Sequence, residues 1–382
     1  MSAFSQYVAA LLQADAANDV WTRPAEWLAL PALADTDDRT VILYRVEDGG
    51  YNTVALKAQG NYTVDWGDGS APEDFASGVQ AEHTYTYDDA DLLASEMSDG
   101  AQQAIISITP QATYSLTKLE LHVRPSAAAY GYYASGIMDV AVSGPSMTVF
   151  RFGRTDSSTS VSVVDFPHLR QCSLYLPALT SQANLLQRLA SLRVVSRWAV
   201  NVALTDGTSM FDRCSSLQSL PSGMTLGAVT NGTSMFDRCT SLQSLPSGMT
   251  LGAVTNGSYM FYACTSLQSL PSGMTLGAVT NGTQMFNNCT SLQSLPSGMT
   301  LGACNTTTSM FASCSSLQAA DGLAIPESFS IASCNFSAAA LDALYTSLPT
   351  VTGKTITVTG NPGTSGDDPS IATAKGWTVA GS

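Results

Sequence analysis

TNGTSMFDRCTSLQSLPSGMTLGAV, residues 230–254, runs without a break into TNGSYMFYACTSLQSLPSGMTLGAV, residues 255–279, and TNGTQMFNNCTSLQSLPSGMTLGAC, residues 280–304. A unit of 25 residues therefore recurs, and looser copies extend it from Thr208 to Ser316. The Met-Phe pair falls at 210/211, 235/236, 260/261, 285/286 and 310/311; Cys follows at 214, 239, 264, 289 and 314, and Leu at 217, 242, 267, 292 and 317. Units of one length with no insertion predict stacked coils. A single coil cannot bury its own apolar face, whereas neighbours stacked on it share a continuous core. Asn-Gly at 231/232, 256/257 and 281/282 predicts a tight turn in each coil. Ser-Leu-Gln-Ser-Leu-Pro predicts a short strand stopped by Pro, and Thr-Ser-Met-Phe-x-x-Cys a short helical turn with a Ser/Thr cap.

The pattern Met-Phe-x-x-Cys-x-Ser-Leu-x-x-Leu resembles the BspA-type leucine-rich repeat of bacterial surface proteins and some bacteriophage proteins. The resemblance implies a solenoid over residues 127–335, with regular units at 206–316. Cys172-Ser173-Leu174-Tyr175-Leu176-Pro177 and Ser191-Leu192-Arg193-Val194 suggest earlier, irregular coils, and Cys334 and Phe336 a closing one. Beyond it, Leu341–Leu348 predicts a helix, and the Thr355–Gly363 and Ala372–Val379 stretches two strands, a cap of the kind repeat arrays need (336–382).

Residues 37–126 read as a different unit. Thr40–Arg45, Tyr51–Ala58, Tyr62–Trp66, Ala104–Thr109 and Lys118–Val123 are short apolar or alternating runs separated by Gly, Asp and Asn clusters, as in a small antiparallel sandwich. Within it, Tyr62-Thr63-Val64-Asp65-Trp66-Gly67-Asp68-Gly69-Ser70 followed by His83-Thr84-Tyr85 resembles the PKD-type immunoglobulin-like module, which implies that the later strand packs on Trp66. The fold class expected is thus mainly β and multidomain: an immunoglobulin/PKD-like sandwich, then a leucine-rich-repeat solenoid with a C-terminal cap. Residues 1–36 add helical spacing (Phe4, Val8, Leu11, Leu12), then Trp21 and Trp27 around prolines. The two tryptophans are candidates for attachment to a larger particle, against the plainer reading that they cap the sandwich.

The units are nearly identical from Cys through Val but differ around Met-Phe. Core positions cannot vary without loss of packing, so the varying ones are expected to face outward in one stripe. It comprises Ser209, Asp212, Arg213, Ser234, Asp237, Arg238, Tyr259, Tyr262, Gln284, Asn287 and Asn288, the chemistry of a recognition surface for protein or sugar. Asp212 and Asp237, one coil apart, have the spacing of a two-carboxylate glycosidase site. Each is followed by Arg, however, which favours charge pairing, and no catalytic residue is assigned. The Cys ladder reads as buried core thiols rather than disulfides or metal ligands: Cys304 takes a slot that Val229, Val254 and Val279 fill elsewhere, and no C-x-x-C occurs. Asp65 and Asp68, with Glu73, Asp74 and Glu82, lack the spacing of a calcium loop and read as carboxylates bonding their own backbone. No metal or cofactor is expected, and the Asn-x-Ser/Thr triplets read as turn chemistry.

Charge is unevenly placed. Residues 1–110 hold 18 Asp and Glu against 4 Lys and Arg, and the remainder 12 of each, so the net charge of -14 lies in the N-terminal third. Without clustered Lys or Arg, nucleic acid is not an expected partner. With no long apolar run, membrane insertion is not expected either. The start of the chain carries no signal-peptide pattern. The opening, Trp27-Leu28-Ala29-Leu30-Pro31 before the Asp-Trp-Gly-Asp-Gly unit, and the ending together resemble phage tail-associated proteins. That resemblance implies a non-enzymatic structural protein of a tailed-phage virion, made in the host cytoplasm. It would be a tail fibre or appendage adhesin contacting other virion proteins and a host cell-surface protein or glycan, and homotrimeric by analogy. A capsid decoration or head fibre, and a bacterial surface adhesin, are the alternatives.

Overall fold

The structure is a computed structural model that describes residues 21–49, 52–121, 123, 136–152, 166–296, 298–320 and 322–382. The helical spacing expected at Phe4–Leu12 and the expected boundary at 126/127 lie outside the described residues.

The fold is mainly β. In chain order, β1 (Arg39–Val46), β2 (Thr53–Gln59), β3 (Tyr62–Asp65), β4 (Glu73–Phe75), β5 (Gln80–Thr84), β6 (Gln102–Pro110) and β7 (Lys118–Glu120) are followed by β8 (Ile137–Ser143), β9 (Val149–Arg151), β10 (Gln171–Leu176) and β11 (Val194–Val200). The first sheet has seven strands in the order β11-β10-β8-β1-β6-β3-β4, the second four in the order β5-β2-β7-β9. Both sheets change character at the same place. β8 pairs antiparallel with β1 and parallel with β10; β7 pairs antiparallel with β2 and parallel with β9. Hairpin-type pairing thus passes into coil-type pairing inside each sheet. Among the described residues one buried cluster extends from Ile42 to Trp377. A smaller cluster, Leu43, Met97, Ala101 and Met138, lies apart from it and is covered by Trp27, Leu28 and Leu30.

From Asn184 onward the coils follow one another at 25 residues. Parallel bridges link Asp206, Asn231, Asn256, Asn281 and Thr306 in succession. The Met-Phe segment is not a helical turn. Ser234 and Arg238 sit at φ 53° and 57°, and the same two places are left-handed in every regular coil. Alternate residues close turns within the coil: Met235 N–H donates to Gly232 O and Asp237 N–H to Ser234 O. The residues between them donate onward: Ser234 to Ser258 O at 2.9 Å, Phe236 to Met260 O at 2.8 Å and Arg238 to Tyr262 O at 2.7 Å. A helix would spend these donors on itself; here half of them tie one coil to the next.

The Ser-Leu-Gln-Ser-Leu-Pro segments are not strands either. Single backbone bonds join them, such as Gln268 N–H to Gln243 O at 3.0 Å. Pro then removes a donor and the chain turns, Met249 N–H closing on Pro246 O at 3.1 Å with Gly248 at φ +85°, where a type II turn requires glycine. The tight turn is therefore Pro-Ser-Gly-Met and not Asn-Gly. β11 runs seven residues beside a coil that bridges it at Val194–Ser219 before turning away, leaving a groove of about 420 Å³ lined by Val194–Ala199 and Ser219–Ser222.

Inside the stack the Phe rings form a column. Phe211, Phe236, Phe261, Phe286 and Phe311 stack at 5.2–5.7 Å within 6° of parallel, and Trp198 tilts onto the first. All eight cysteines are free and buried. Each ladder thiol does more than fill space: Cys239 Sγ donates to Phe211 O at 3.1 Å and Cys264 Sγ to Phe236 O at 3.0 Å. Past the last regular coil come β12 (Phe329–Ser330), α1 (Ala338–Ser347), β13 (Lys354–Thr357), α2 (Ser370–Thr373) and β14 (Trp377–Ala380), the three strands forming a parallel sheet. Ser337 caps α1 by accepting Ala340 N–H, and Lys375 Nζ donates to carbonyls at its far end.

Candidate functional site

The varying positions converge on one side of the coils, and two of their places coincide with the left-handed residues. Ser209, Ser234, Tyr259, Gln284 and Ser309, immediately before Met, have φ 51–57°; Arg213, Arg238, Ala263, Asn288 and Ser313, two after Phe, have φ 54–63°. Non-glycine residues tolerate this region at a cost, and β-branched ones least. No Val, Ile or Thr occurs at either place. Composition here is thus free only within what the backbone accepts.

Side chains on this side of the coils form two linked groups, Gln187 with Asp212 and Arg213, and Asp237 with Arg238, Tyr262, Tyr259 and Gln284, which together make up the belt. Gln187 Nε2 donates to Asp212 Oδ2 at 2.9 Å. Arg213 Nε lies 3.7 Å from Asp212 Oδ1, and Arg238 Nη1 3.1 Å from Asp237 Oδ2. The Arg238 guanidinium sits 5.1 Å from the centre of the Tyr262 ring, which is 5.8 Å from that of Tyr259. Gln284 Nε2 donates to Tyr259 Oη at 3.3 Å. Asn287 and Asn288 are half-buried on the same side, as are Ser209 and Ser234.

One expectation is corrected here. Asp212 and Asp237 do not face outward: they are 7 % and 9 % exposed, while Arg213 and Arg238 reach into solvent. Each carboxylate is paired with the arginine that follows it in the chain. Burial raises the Asp237 carboxyl to about 6, opposed by Arg238 and reinforced by the neighbouring Asp212. Asp212 Oδ1 is buried without a hydrogen-bond donor.

Gln187 escapes the motif because its coil has lost the signature residues. Asn184 and Arg188 are left-handed, and their N–H groups donate to Thr208 O and Asp212 O as in regular coils. Leu185-Leu186-x-x-Leu189, 25 residues before Met210-Phe211-x-x-Cys214, is the signal that marks it.

Elsewhere, Trp66 is fully buried, with His83 stacked on it at 4.9 Å and Tyr85 Oη donating to its carbonyl at 2.8 Å. His83 Nε2 meets Asp68 Oδ2 at 2.6 Å. Asp65 and Asp68 accept Gly67 and Ser70 backbone N–H groups, and hydrogen bonds from Ser70 and His83 hold Asp68 below the usual carboxylate range despite its partial burial. Among the described residues no three His, Cys, Asp or Glu side chains gather to hold a metal ion. Trp21 and Trp27 are half-buried and meet edge-on at 6.0 Å. Arg23 lies over Trp27 and pairs with buried Asp139 at 3.1 Å, and the backbone N–H of Trp21 donates to Gln218 Oε1 at 2.8 Å. Trp27 is thus engaged within the chain, packing on the Leu43 cluster, and Trp21 meets it edge-on. No described helix is long and apolar enough to cross a membrane.

Residues 205–322 match a family model described as a Mycoplasma protein of unknown function, DUF285. The match covers the regular coils and less than half of the chain. No curated protein matches the sequence.

Proposed function

We propose that the chain is a structural virion protein of a tailed bacteriophage, a tail-fibre or appendage adhesin. In this reading the coils form a BspA-type leucine-rich-repeat solenoid and the N-terminal strands an immunoglobulin/PKD-like sandwich. The belt from Gln187 to Gln284 touches a host receptor. The observation that carries it is the belt itself: side chains that change from coil to coil, laid over Phe, Met and Cys positions that do not. A surface under no demand has no reason to be held by hydrogen bonds, ion pairs and ring contacts that cross from coil to coil, as Gln187 does to Asp212, Arg238 to Tyr262 and Gln284 to Tyr259. The reading makes the belt a binding surface without catalytic, cofactor or nucleic-acid chemistry. The Trp21–Trp27 side would meet other virion proteins, and the assembly would be a homotrimer.

A second reading, a bacterial cell-surface adhesin, draws support from the family match to a cellular organism. Antibody labelling decides between them. Gold particles on the tails of intact phage support the first reading. Label on the capsid moves the protein to a decoration or head fibre, and label confined to bacterial cells supports the second. Purified chain that binds no bacterial cell at all sinks the adhesin function in either setting.

A further inference from the structure

β11 ends the seven-stranded sheet, and a single bridge, Val194–Ser219, ties it to the next coil. Beyond that bridge the turn at Pro221–Met224 carries the coil away, and the groove of about 420 Å³ opens between Val194–Ala199 and Ser219–Ser222. Among the described residues no strand pairs with β11 on this side. A sheet edge offers backbone donors and acceptors to any chain that approaches, and folded proteins blunt it by covering it with a helix or loop. Buried Val195 and Leu220 and half-buried Trp198 give the groove apolar walls. Val202, 67 % exposed, follows two residues past the strand's end.

The chain itself arrives at this place. The described residues resume at Trp21, whose backbone N–H donates to Gln218 Oε1 at 2.8 Å, one residue before the groove wall at Ser219. Residues 1–20 therefore join the described chain at the closed end of the groove. In the sequence Phe4, Val8, Leu11 and Leu12 share the spacing of one helix face, and such a face needs an apolar surface to rest on. Residues 13–20 tether Leu12 to Trp21 and can span up to about 26 Å, more than the roughly 23 Å that seven residues of strand occupy. The charged side chain lining the groove is Arg197, and those of residues 1–20 are Asp15 and Asp19, opposite in sign.

We infer that residues 4–12 fold back as a helix onto the β11 edge of the same chain, seating Val8, Leu11 and Leu12 in the groove. The short tether holds the segment at an effective concentration on the order of millimolar, above that of a second copy in dilute solution. The contact shields the edge from pairing with another chain, and it is independent of what the belt binds.

Two reciprocal measurements on the full chain test it. Hydrogen exchange reads the groove while the segment is changed. Leu11→Asp combined with Leu12→Asp is expected to speed exchange of the 194–200 amides about tenfold and to leave that of residues 236–239 unchanged. Proteolysis reads the segment while the groove is changed. Ser222→Trp, at an exposed turn position on the groove wall, is expected to speed chymotrypsin cleavage after Phe4 and Tyr7 by a similar factor. A parent-like rate in either measurement overturns the docking. Faster exchange in residues 236–239 as well marks unfolding of the double variant, and the cleavage rate then decides. Exchange at 194–200 that quickens in the unaltered chain on dilution gives the segment to a second copy and overturns the same-chain assignment.

Discussion

The terminal methyl of Met260 packs directly on the α-carbon of Gly232, so that a Cβ on Gly232 would lie 2.6 Å from it. The relationship recurs between Gly207 and Met235, Gly257 and Met285, and Gly282 and Met310. None of these glycines has a positive φ. Glycine is there to admit the next coil's methionine, not to turn the chain. The following unit carries Thr307 at this place, and the residue that would be its methionine is Asn335. Gly232→Ala is expected to destabilise by about 1–2 kcal/mol, since Met260 must leave its rotamer or the coils must part. Chemical denaturation measures the cost, and Gly232→Ala combined with Met260→Leu tests the pairing. If the two changes add independently, the contact is not what selects glycine.

The left-handed residues make a prediction of opposite sign. Ser234, at φ 53°, is expected to gain up to about 1 kcal/mol on replacement by Gly, which enters this region freely, and to lose more than that on replacement by Val. Thermal melts that rank Val above Gly would contradict the backbone described here.

The thiols should be silent. Burial pushes the Cys239, Cys264 and Cys289 thiols well up, and Cys314 rises to about 12 for the same reason. No thiolate is then available near about pH 8, where an ordinary cysteine is partly ionised. A disulfide reagent is expected to label none of the eight cysteines in the native chain and all of them in denaturant. Fast labelling of even one ladder cysteine under native conditions would contradict the packing.

Asp237 gives a pH dependence whose sign is fixed by burial. Its folded pKa of about 6 lies above the unfolded value of about 3.9. Between the two, the folded state holds the proton more tightly, so its share of stability is full at low pH and declines as pH rises toward 6. Asp237→Asn, which mimics the protonated form, is expected to melt higher than the parent at neutral pH, with the gap closing below about pH 4. A gap that widens on acidification would reverse the assignment.

Much of the interior was legible. The period, the inward Met, Phe, Cys and Leu positions, and β1, β3 and β6 all follow from spacing alone. The local backbone was not. Thr-Ser-Met-Phe carries helix-like capping residues, yet its donors are claimed by the neighbouring coil, a partner that no single unit contains. Ser-Leu-Gln-Ser-Leu looks extended, but Pro221 and Gly223 divert the chain after one bridge. The belt's membership was readable from its variation, while the burial of Asp212 and Asp237 was not, since Tyr262 and Asn287 occupy the same place in their coils and are only half-buried. β4, three residues long, carries mostly polar residues and leaves no alternating trace, while β5 was marked only by the resemblance at His83-Thr84-Tyr85.

Because Thr307 replaces glycine only where no methionine follows, the array has a marked last rung and interchangeable middle ones. Loss or duplication of the 25-residue block 230–254 or 255–279 restores each junction, Val before Thr-Asn-Gly, and leaves both the head sheet and the tail cap untouched. The number of rungs is therefore a quantity that near-identical gene segments can alter by unequal exchange, lengthening or shortening the reach of the surface in fixed steps without redesigning either end.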